Sequence, residues 1–165
     1  MAPEPIIRPM VGVDLPAVLA IEEGTYLEPW TEGIFRDCLR VGYIGRVLEV
    51  ATEGAATGLA AYGLLSAAAG ECHVLNLCTA PEQRGRGLGR LLLRALLAEG
   101  RLAGAEQAFL EVRPSNTAAL ALYGAEGFET VGVREGYYPA ADGREDAWVL
   151  RRELVGGDPG RNPGG

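Results

Sequence analysis

A glycine-rich loop that runs directly into an apolar helix is the feature that most constrains this chain. Residues 81–97 read PEQRGRGLGRLLLRALL, in which Gly85, Gly87 and Gly89 alternate with arginines. Glycine lets backbone N–H groups approach a ligand closely, and a helix N-terminus adds unpaired N–H donors with a partial positive charge. Arginine strengthens such a site for anions. The segment therefore predicts a phosphate cradle at the start of a helix.

Two common phosphate-binding motifs do not describe this loop. It lacks the Gly-Lys-Ser/Thr ending of a P-loop, and its glycine spacing differs from the GxGxxG of dinucleotide-binding folds. Glycine before a helix is common, so a purely structural turn is the alternative for the loop taken alone. Other parts of the sequence are needed to choose between a phosphate cradle and a structural turn.

Length and hydrophobic content predict one globular domain over residues 1–155. A chain of 165 residues with 48% hydrophobic residues can bury a sizeable core. The last ten residues, Gly156 to Gly165, include no apolar side chain and are predicted to form a flexible tail. No apolar run is long enough to span a membrane, and no signal peptide is recognisable. We therefore expect a cytoplasmic protein with no membrane partner.

Charge and cysteine content narrow the classes of partner. The net charge of -7 disfavours nucleic-acid binding, and it either attracts a basic polypeptide or serves solubility. Cys38, Cys72 and Cys78 are odd in number and lack CxxC spacing, which argues against a disulfide framework or a zinc site. We expect a reducing compartment and no metal.

The predicted order of elements is ααβββαβαββ, which indicates an α/β fold with a mixed, mostly antiparallel sheet flanked by helices. Asp14 is predicted to cap the first helix, with Pro16 in its first turn, and Thr31 to cap the second. After these come strands near 44–52, 58–66 and 72–79, with a turn at EGAAT, a helix over 87–103, a strand over 108–113, a helix ending near Gly127, and strands near 130–134 and 147–153 separated by the loop GYYPAADGRED. The apolar face of the long helix is predicted to be Leu88, Leu91, Leu92, Ala95 and Leu96.

The strand AFLEVR carries the first candidate for catalysis. Alternation places Glu111 on the sheet face opposite Leu110 and Val112. A carboxylate in such an apolar strand is costly unless a cleft solvates it or a partner pairs with it. Partial burial would raise the pKa of Glu111 towards the range useful to a general base. The alternative is an ion pair with Arg113 or with a cross-strand residue.

The segments LEVRPSNTAALALYGAEGF and GYYPAADGREDAWVL resemble the RimI-type branch of the GNAT superfamily. That branch comprises N-terminal acetyltransferases that modify the N-terminal alanine of protein eighteen of the small ribosomal subunit. The resemblance extends from the first helix to the final strand. It implies a single-domain GNAT fold with a splayed central strand pair. It also implies acetyl-CoA as cosubstrate and direct attack, in a ternary complex, by the N-terminal amine of a ribosomal protein.

The resemblance also implies roles for individual residues. Glu111 takes the position of the general base, and Tyr123 that of the general acid that protonates the leaving thiolate. Glu28, Trp30, Tyr137 and Tyr138 would frame the acceptor N-terminus. The residues implied to bind acetyl-CoA are Leu77, Cys78, Thr79, Arg84, Gly85, Arg86, Gly87, Leu88, Gly89, Arg90 and Asn116.

Structural alternatives accompany several of these residues. Read alone, Tyr123 would be a core aromatic and Asn116 a turn or helix cap. Cys78 could serve a ping-pong mechanism, but no activating base adjoins it in sequence, so a small buried core residue is favoured. His73, the only histidine, is expected at a surface or strand position rather than in catalysis.

Tyr137 and Tyr138 are adjacent, and adjacent residues of an extended strand face opposite sides. We therefore expect at most one of them to face the substrate. A packed hairpin corner is the alternative reading of this segment.

Four functions compete at this point. The first is acetylation of an N-terminal alanine on a ribosomal protein, by a monomer or weak homodimer. The others are a protein N-terminal acetyltransferase of broader repertoire, a small-molecule amine acetyltransferase, and a non-catalytic acyl-CoA-binding module. The presence of both Glu111 and Tyr123 argues against the last.

Overall fold

The computed structural model describes residues 4–51 and 57–154. Strands and helices follow one another along these residues as β1 (Ile6–Pro9), α1 (Leu15–Thr25), α2 (Glu32–Arg40), β2 (Ile44–Ala51), β3 (Thr57–Ala68), β4 (Glu71–Thr79), α3 (Leu88–Leu102), β5 (Gln107–Val112), α4 (Thr117–Ala125), β6 (Glu129–Ala140) and β7 (Gly143–Glu153). The predicted tail at 156–165 lies outside the described residues, and so does the predicted turn EGAAT apart from Thr57.

The strands form a seven-stranded sheet in the order β1-β2-β3-β4-β5-β7-β6. The pairs β1–β2, β2–β3, β5–β7 and β6–β7 are antiparallel, whereas β4 and β5 are parallel. This confirms the predicted mixed sheet flanked by helices. The β4–β5 register joins only residues 71–73 to residues 107–109, although β4 continues to Thr79. A short parallel pairing of this kind agrees with the expected splayed strand pair.

The chain divides into two compact units, which are described separately below. The first comprises the described residues up to Leu65 together with Leu75–Leu96. The second comprises Ser66–Val74 together with the described residues from Leu97 onwards. The division cuts β4 between Val74 and Leu75.

Helices α1 and α2 supply much of the core of the first unit. The Phe35 ring is fully buried, with the ring of Trp30 at 5.2 Å and the ring of Tyr62 at 5.9 Å between centroids. The Thr31 side chain accepts a hydrogen bond from the Ile34 N–H at 3.3 Å, so the predicted cap of α2 is confirmed. The buried cluster comprises Met10, Leu15, Val18, Phe35, Cys38, Val47, Tyr62, Leu64 and Cys78.

Asp14 precedes α1 but does not cap it, so this prediction is wrong. Its carboxylate accepts the Val11 N–H at 2.8 Å and pairs with Arg8 at 2.7 Å. These bonds close a short 3-10 turn and join it to β1, a strand that the sequence analysis missed. Pro16 lies in the first turn of α1 as predicted. The Asp14 carboxylate therefore bonds to Arg8 of β1 instead of capping α1.

The apolar face of α3 differs in part from the prediction. Leu91 is 45% exposed, and Ala95 is only partly buried. The buried leucines follow two rows spaced by four residues, because side chains at i and i+4 share one helix face. The rows consist of Leu88, Leu92 and Leu96, and of Leu93 and Leu97.

In the second unit, β5 alternates as predicted. Leu110 and Val112 are buried, while Phe109 and Glu111 are only partly covered. The predicted loop GYYPAADGRED is wrong, because the whole segment lies in a β6–β7 hairpin that turns at residues 141–142. Glycine, proline and aspartate in that segment made a strand look like a loop, and cross-strand pairing overrode their low strand preference.

All three cysteines are buried and unpaired, as expected for a chain without a disulfide framework. Among the described helices, none has both the length and the apolar character that crossing a membrane requires.

Candidate active site

The glycine loop of the first unit connects β4 to α3 and presents backbone N–H groups. Gly85 and Gly87 adopt positive φ, at +81° and +76°, which glycine accepts without strain. The helical hydrogen bonds of α3 begin with the Leu91 N–H donating to the Gly87 carbonyl at 3.2 Å. The N–H groups of Leu88, Gly89 and Arg90 lie before that bond, at the N-terminus of the helix. The loop therefore has the geometry predicted for an anion cradle.

Two arginines shape the same loop. The Arg84 Nε donates to the Thr79 carbonyl at 3.3 Å, which links the loop to the end of β4. Arg86 donates to the side-chain oxygen of Gln83. Both guanidinium groups lie on exposed residues, so they add positive charge beside the cradle.

The end of β4 has a partner that the sequence analysis did not identify. The Tyr26 hydroxyl donates to the Leu77 carbonyl at 3.4 Å. The Cys78 thiol is buried and donates to the Thr25 hydroxyl at 3.6 Å. Cys78 belongs to the apolar core of this unit, which confirms the favoured reading of it as a small core residue.

Glu22 forms a buried hydrogen-bond network that was not predicted. It is 1% exposed, and its Oε1 accepts from the Tyr62 hydroxyl at 2.7 Å and from the Asn76 amide at 2.8 Å. Its Oε2 accepts the backbone N–H of Trp30 at 3.1 Å. Burial, with Cys78 and Glu22 nearby, raises the pKa of Tyr62 far above its usual range, so the hydroxyl keeps the proton it donates. The only sequence signal was a glutamate within the apolar run AVLAIEE.

Glu28 and Trp30, both predicted to frame the acceptor, differ in their surroundings. Glu28 is exposed, whereas Trp30 is partly buried against Phe35. The backbone N–H of Trp30 also donates a hydrogen bond to the Glu22 carboxylate. The segment therefore combines an anchored aromatic with a solvent-facing carboxylate, and its role towards an acceptor stays a prediction.

Glu111 of the second unit lies within an ionic cluster. Its Oε2 is 2.6 Å from the Nε2 of His73 on β4, and its Oε1 is 3.4 Å from the Nε of Arg134 on β6. The His73 hydrogen bond lowers the pKa of Glu111, and Arg134 acts in the same direction, while burial opposes both. The predicted rise in pKa is therefore wrong. The cross-strand pair held open in the sequence analysis is present, with His73 and Arg134 rather than Arg113 as partners.

Tyr123 and Asn116 both lie at α4. The Tyr123 ring is buried, with its centroid 5.7 Å from that of Phe128, as a core aromatic would be. The Asn116 Oδ1 accepts the Ala119 N–H at 3.1 Å, which confirms the helix-cap reading. The roles of both residues towards acetyl-CoA stay predictions.

Tyr137 and Tyr138 do not face opposite sides. Their ring centroids are 4.9 Å apart and nearly perpendicular, so the two side chains do not alternate as assumed, and which of them faces a substrate stays a prediction. The register of β6 against β7 shifts between Arg134 and Tyr138, and this irregularity breaks the alternation. The Arg113 guanidinium lies 4.4 Å from the centre of the Tyr138 ring. Burial raises the pKa of Tyr138 to about 12, so its hydroxyl stays protonated at neutral pH.

Glu145 connects this hairpin to the start of α4. It accepts the Ser115 N–H and the Ser115 hydroxyl, each at 2.9 Å, and lies 3.3 Å from Arg113. The Ser115 hydrogen bonds lower the pKa of Glu145. The DGRED segment thus has a structural function that the sequence analysis did not assign.

Comparison with known proteins identifies the family. Residues 15–128 match the family model described as the acetyltransferase (GNAT) family. The chain belongs to the GNAT acetyltransferase family. A GNAT member is an acetyl-CoA-dependent enzyme.

Individual GNAT relatives are similar over nearly the whole chain. The [ribosomal protein bS18]-alanine N-acetyltransferase of Escherichia coli K12 is 36% identical over 144 residues, which cover 87% of this chain and 94% of the relative. The crystal structure of the ribosomal-protein-S18-alanine N-acetyltransferase from Escherichia coli matches with a TM-score of 0.82 and 32% identity, covering 96% of this chain and 99% of that one.

A more distant solved structure shares the fold. Ard1 from Thermoplasma volcanium has a TM-score of 0.80 at 23% identity, covering 92% of this chain and 98% of its own.

Proposed function

We propose that this GNAT enzyme transfers the acetyl group of acetyl-CoA to the N-terminal amine of a ribosomal protein that begins with alanine. The observation that carries the proposal is Glu111, a carboxylate held ionised on β5 at 12% exposure. An anionic carboxylate with little solvent around it can accept a proton from an amine. The near full-length similarity to bS18-alanine N-acetyltransferases supports the choice of acceptor.

Binding of acetyl-CoA is proposed for the glycine loop and its neighbours. The N–H groups of Leu88, Gly89 and Arg90 would bind the pyrophosphate, and Arg84 and Arg86 would add charge. Gly85 and Gly87 supply the left-handed backbone that exposes these N–H groups. The backbone of Leu77, Cys78 and Thr79 and the Asn116 amide would contact the pantetheine arm.

The proposed chemistry is direct attack without a covalent enzyme intermediate. An N-terminal amine has a pKa of about 8, so at neutral pH most molecules hold it in the protonated, ammonium form. Glu111 accepts that proton, directly or through water, and the freed amine forms a C–N bond with the thioester carbon. The oxyanion accepts a backbone N–H from Leu77–Thr79. The C–S bond then breaks, Tyr123 gives its proton to the departing thiolate, and the remaining excess proton of the nitrogen passes through water to restore the Tyr123 hydroxyl, while Glu111 releases its proton to solvent.

The proposed acceptor wall consists of Glu28, Trp30, Tyr137 and Tyr138. Bulky aromatic side chains leave room for a small first residue and disfavour a lysine side chain. The net charge of -7 suits a basic polypeptide. We propose that residues 1–155 work as one domain, as a monomer or weak homodimer in the cytoplasm.

Mass spectrometry of acetyl transfer tests this function. One basic peptide begins with alanine, and a second has the same sequence with a blocked N-terminus and free lysines. We expect transfer only to the first, with Glu111→Gln and Tyr123→Phe each lowering kcat by about 100-fold or more. Glu129→Gln and Tyr43→Phe, on exposed residues, are matched controls that should keep full activity.

Other outcomes would contradict the proposal. Acetylation of lysines on the blocked peptide would reassign the acceptor, and full activity of Glu111→Gln would remove its proposed base. Equal rates on peptides that begin with alanine, serine and methionine would indicate a broader repertoire. Acetyl-CoA binding without transfer to any peptide would favour a small-molecule acceptor or a binding module.

A further inference from the structure

We propose that His73 is a positioning residue that orients the Glu111 carboxylate through its Nε2 contact. The inference rests on the proposed function, in which Glu111 accepts the proton of the amine. Sequence reasoning placed His73 outside catalysis. The structure gives it a direct contact with the proposed base.

The contact depends on the parallel pairing of β4 with β5. His73 is in register with Phe109, and Glu111 lies two residues further along β5 on the same sheet face. The His73 side chain reaches this diagonal neighbour, with 2.6 Å between Nε2 and Oε2. The imidazole is 35% exposed and the carboxylate 12%, so solvent reaches the histidine more readily than the glutamate.

The two oxygens of Glu111 are not equivalent. Oε2 is held by the short contact with His73, whereas Oε1 lies 3.4 Å from the Arg134 Nε. The Arg134 side chain is 56% exposed, so the longer contact constrains the carboxylate less. His73 therefore orients the carboxylate and leaves Oε1 as the oxygen able to accept the proton of the amine.

The charged and titratable groups that face Glu111 in the described chain come from two strands. β4 presents His73, β6 presents Arg134 and Tyr138, and β7 places Val149 opposite Glu111. Of the two ionic contacts, the one with His73 is the shorter, so His73 constrains the carboxylate more than Arg134 does.

Two substitutions test the orienting hydrogen bond. In His73→Gln, a side-chain N–H donor can take the place of Nε2. In His73→Phe, the ring is kept and the donor is lost. We expect His73→Phe to lower kcat for the alanine peptide by about tenfold at about pH 8, because a hydrogen bond to a charged group is lost. His73→Gln should recover part of that loss.

A split between kcat and KM distinguishes this role from a purely structural one. We expect His73→Phe to lower kcat while KM for the alanine peptide stays within about twofold of the wild type, because the loss falls on the chemical step and not on peptide binding. Glu71→Gln is the matched control, because Glu71 is exposed on the same face of β4 two residues earlier, and its kcat should equal that of the wild type.

Two results would overturn the proposal. One is a folded His73→Gln enzyme that is as impaired as Glu111→Gln, which remains measurable if His73→Phe does not fold. The other is a folded His73→Phe enzyme within twofold of the wild type. Glu111→Gln, run in parallel, separates the two proposals. Its loss of activity with unaffected His73 variants overturns only the positioning role, whereas its full activity overturns the proposed base.

Discussion

The two compact units each contain a glutamate in a sheltered position, but the two carboxylates have different partners. Glu22 in the first unit is 1% exposed, and its donors in the described chain are neutral groups of Tyr62, Asn76 and Trp30. Glu111 in the second unit is 12% exposed and faces an imidazole and a guanidinium. A buried carboxylate can thus be satisfied either by fixed neutral donors or by side chains that carry charge.

The difference indicates different functions. The donors to Glu22 are neutral groups that do not change charge near neutral pH, so its surroundings stay the same. Such a network suits a structural role, in which Glu22 links α1 to two strands and to the segment at Trp30. The partners of Glu111 are an imidazole and a guanidinium that solvent reaches, so its surroundings are less fixed than those of Glu22. The first arrangement suits stability, and the second suits the role proposed for Glu111.

Glu22→Ala should have the largest effect on stability. The substitution leaves the Tyr62 hydroxyl, the Asn76 amide and the Trp30 N–H without their acceptor. An unsatisfied buried polar group costs about 1–3 kcal/mol, so we expect a loss of about 3 kcal/mol or more in the free energy of unfolding. Urea denaturation measures it, with exposed Glu23→Ala as the control. A loss below about 1 kcal/mol would mean that water replaces the carboxylate at little cost.

Thr31→Ala should have an intermediate effect. It removes the side-chain acceptor of the Ile34 N–H at the start of α2, next to Trp30. The loss of such a cap costs about 1 kcal/mol, measurable by the same denaturation experiment. If Thr31→Ala destabilised the protein as much as Glu22→Ala, the helix cap rather than the buried carboxylate would be the main tie of this segment.

Glu111→Gln should change stability less than either substitution. Its partners His73 and Arg134 are 35% and 56% exposed, so water can solvate them when the charge is removed. Partly exposed ion pairs contribute about 0–1 kcal/mol, and we expect a change within that range. A loss of about 3 kcal/mol would show that the two carboxylates are equally structural, and the comparison would fail.

The smallest effect is a pH dependence of stability at Asp14. The hydrogen bonds from Arg8 hold the pKa of Asp14 below its usual range in the folded protein. This contribution to stability is therefore present above the ordinary carboxyl pKa and is lost as pH falls through the folded value. Urea denaturation between neutral pH and about pH 3 should show a flatter decline for Asp14→Asn than for the wild type. Parallel declines would place the acid sensitivity elsewhere.

Much of the fold could be predicted, because the necessary signals lie close together in sequence. The caps at Thr31 and Asn116 depend on residues three positions away, and the alternation of β5 depends on neighbours two positions away. The missed or mistaken features depend on distant partners. β1 is a four-residue strand that becomes visible only through its pairing with β2, and the β6–β7 hairpin exists because pairing overrides local turn chemistry.

Local sequence patterns were enough to predict the glycine loop before α3, the α/β class and Glu111 and Tyr123 as candidate catalytic residues. The ionisation of Glu111 depends instead on contacts that form only in the folded chain. Its partner His73 is 38 residues away along the chain, and the donors to Glu22 from Tyr62 and Asn76 are 40 and 54 residues away. Local sequence sets backbone preference over a few residues, whereas the pKa of a carboxylate depends on which charges and donors the fold brings within hydrogen-bond distance.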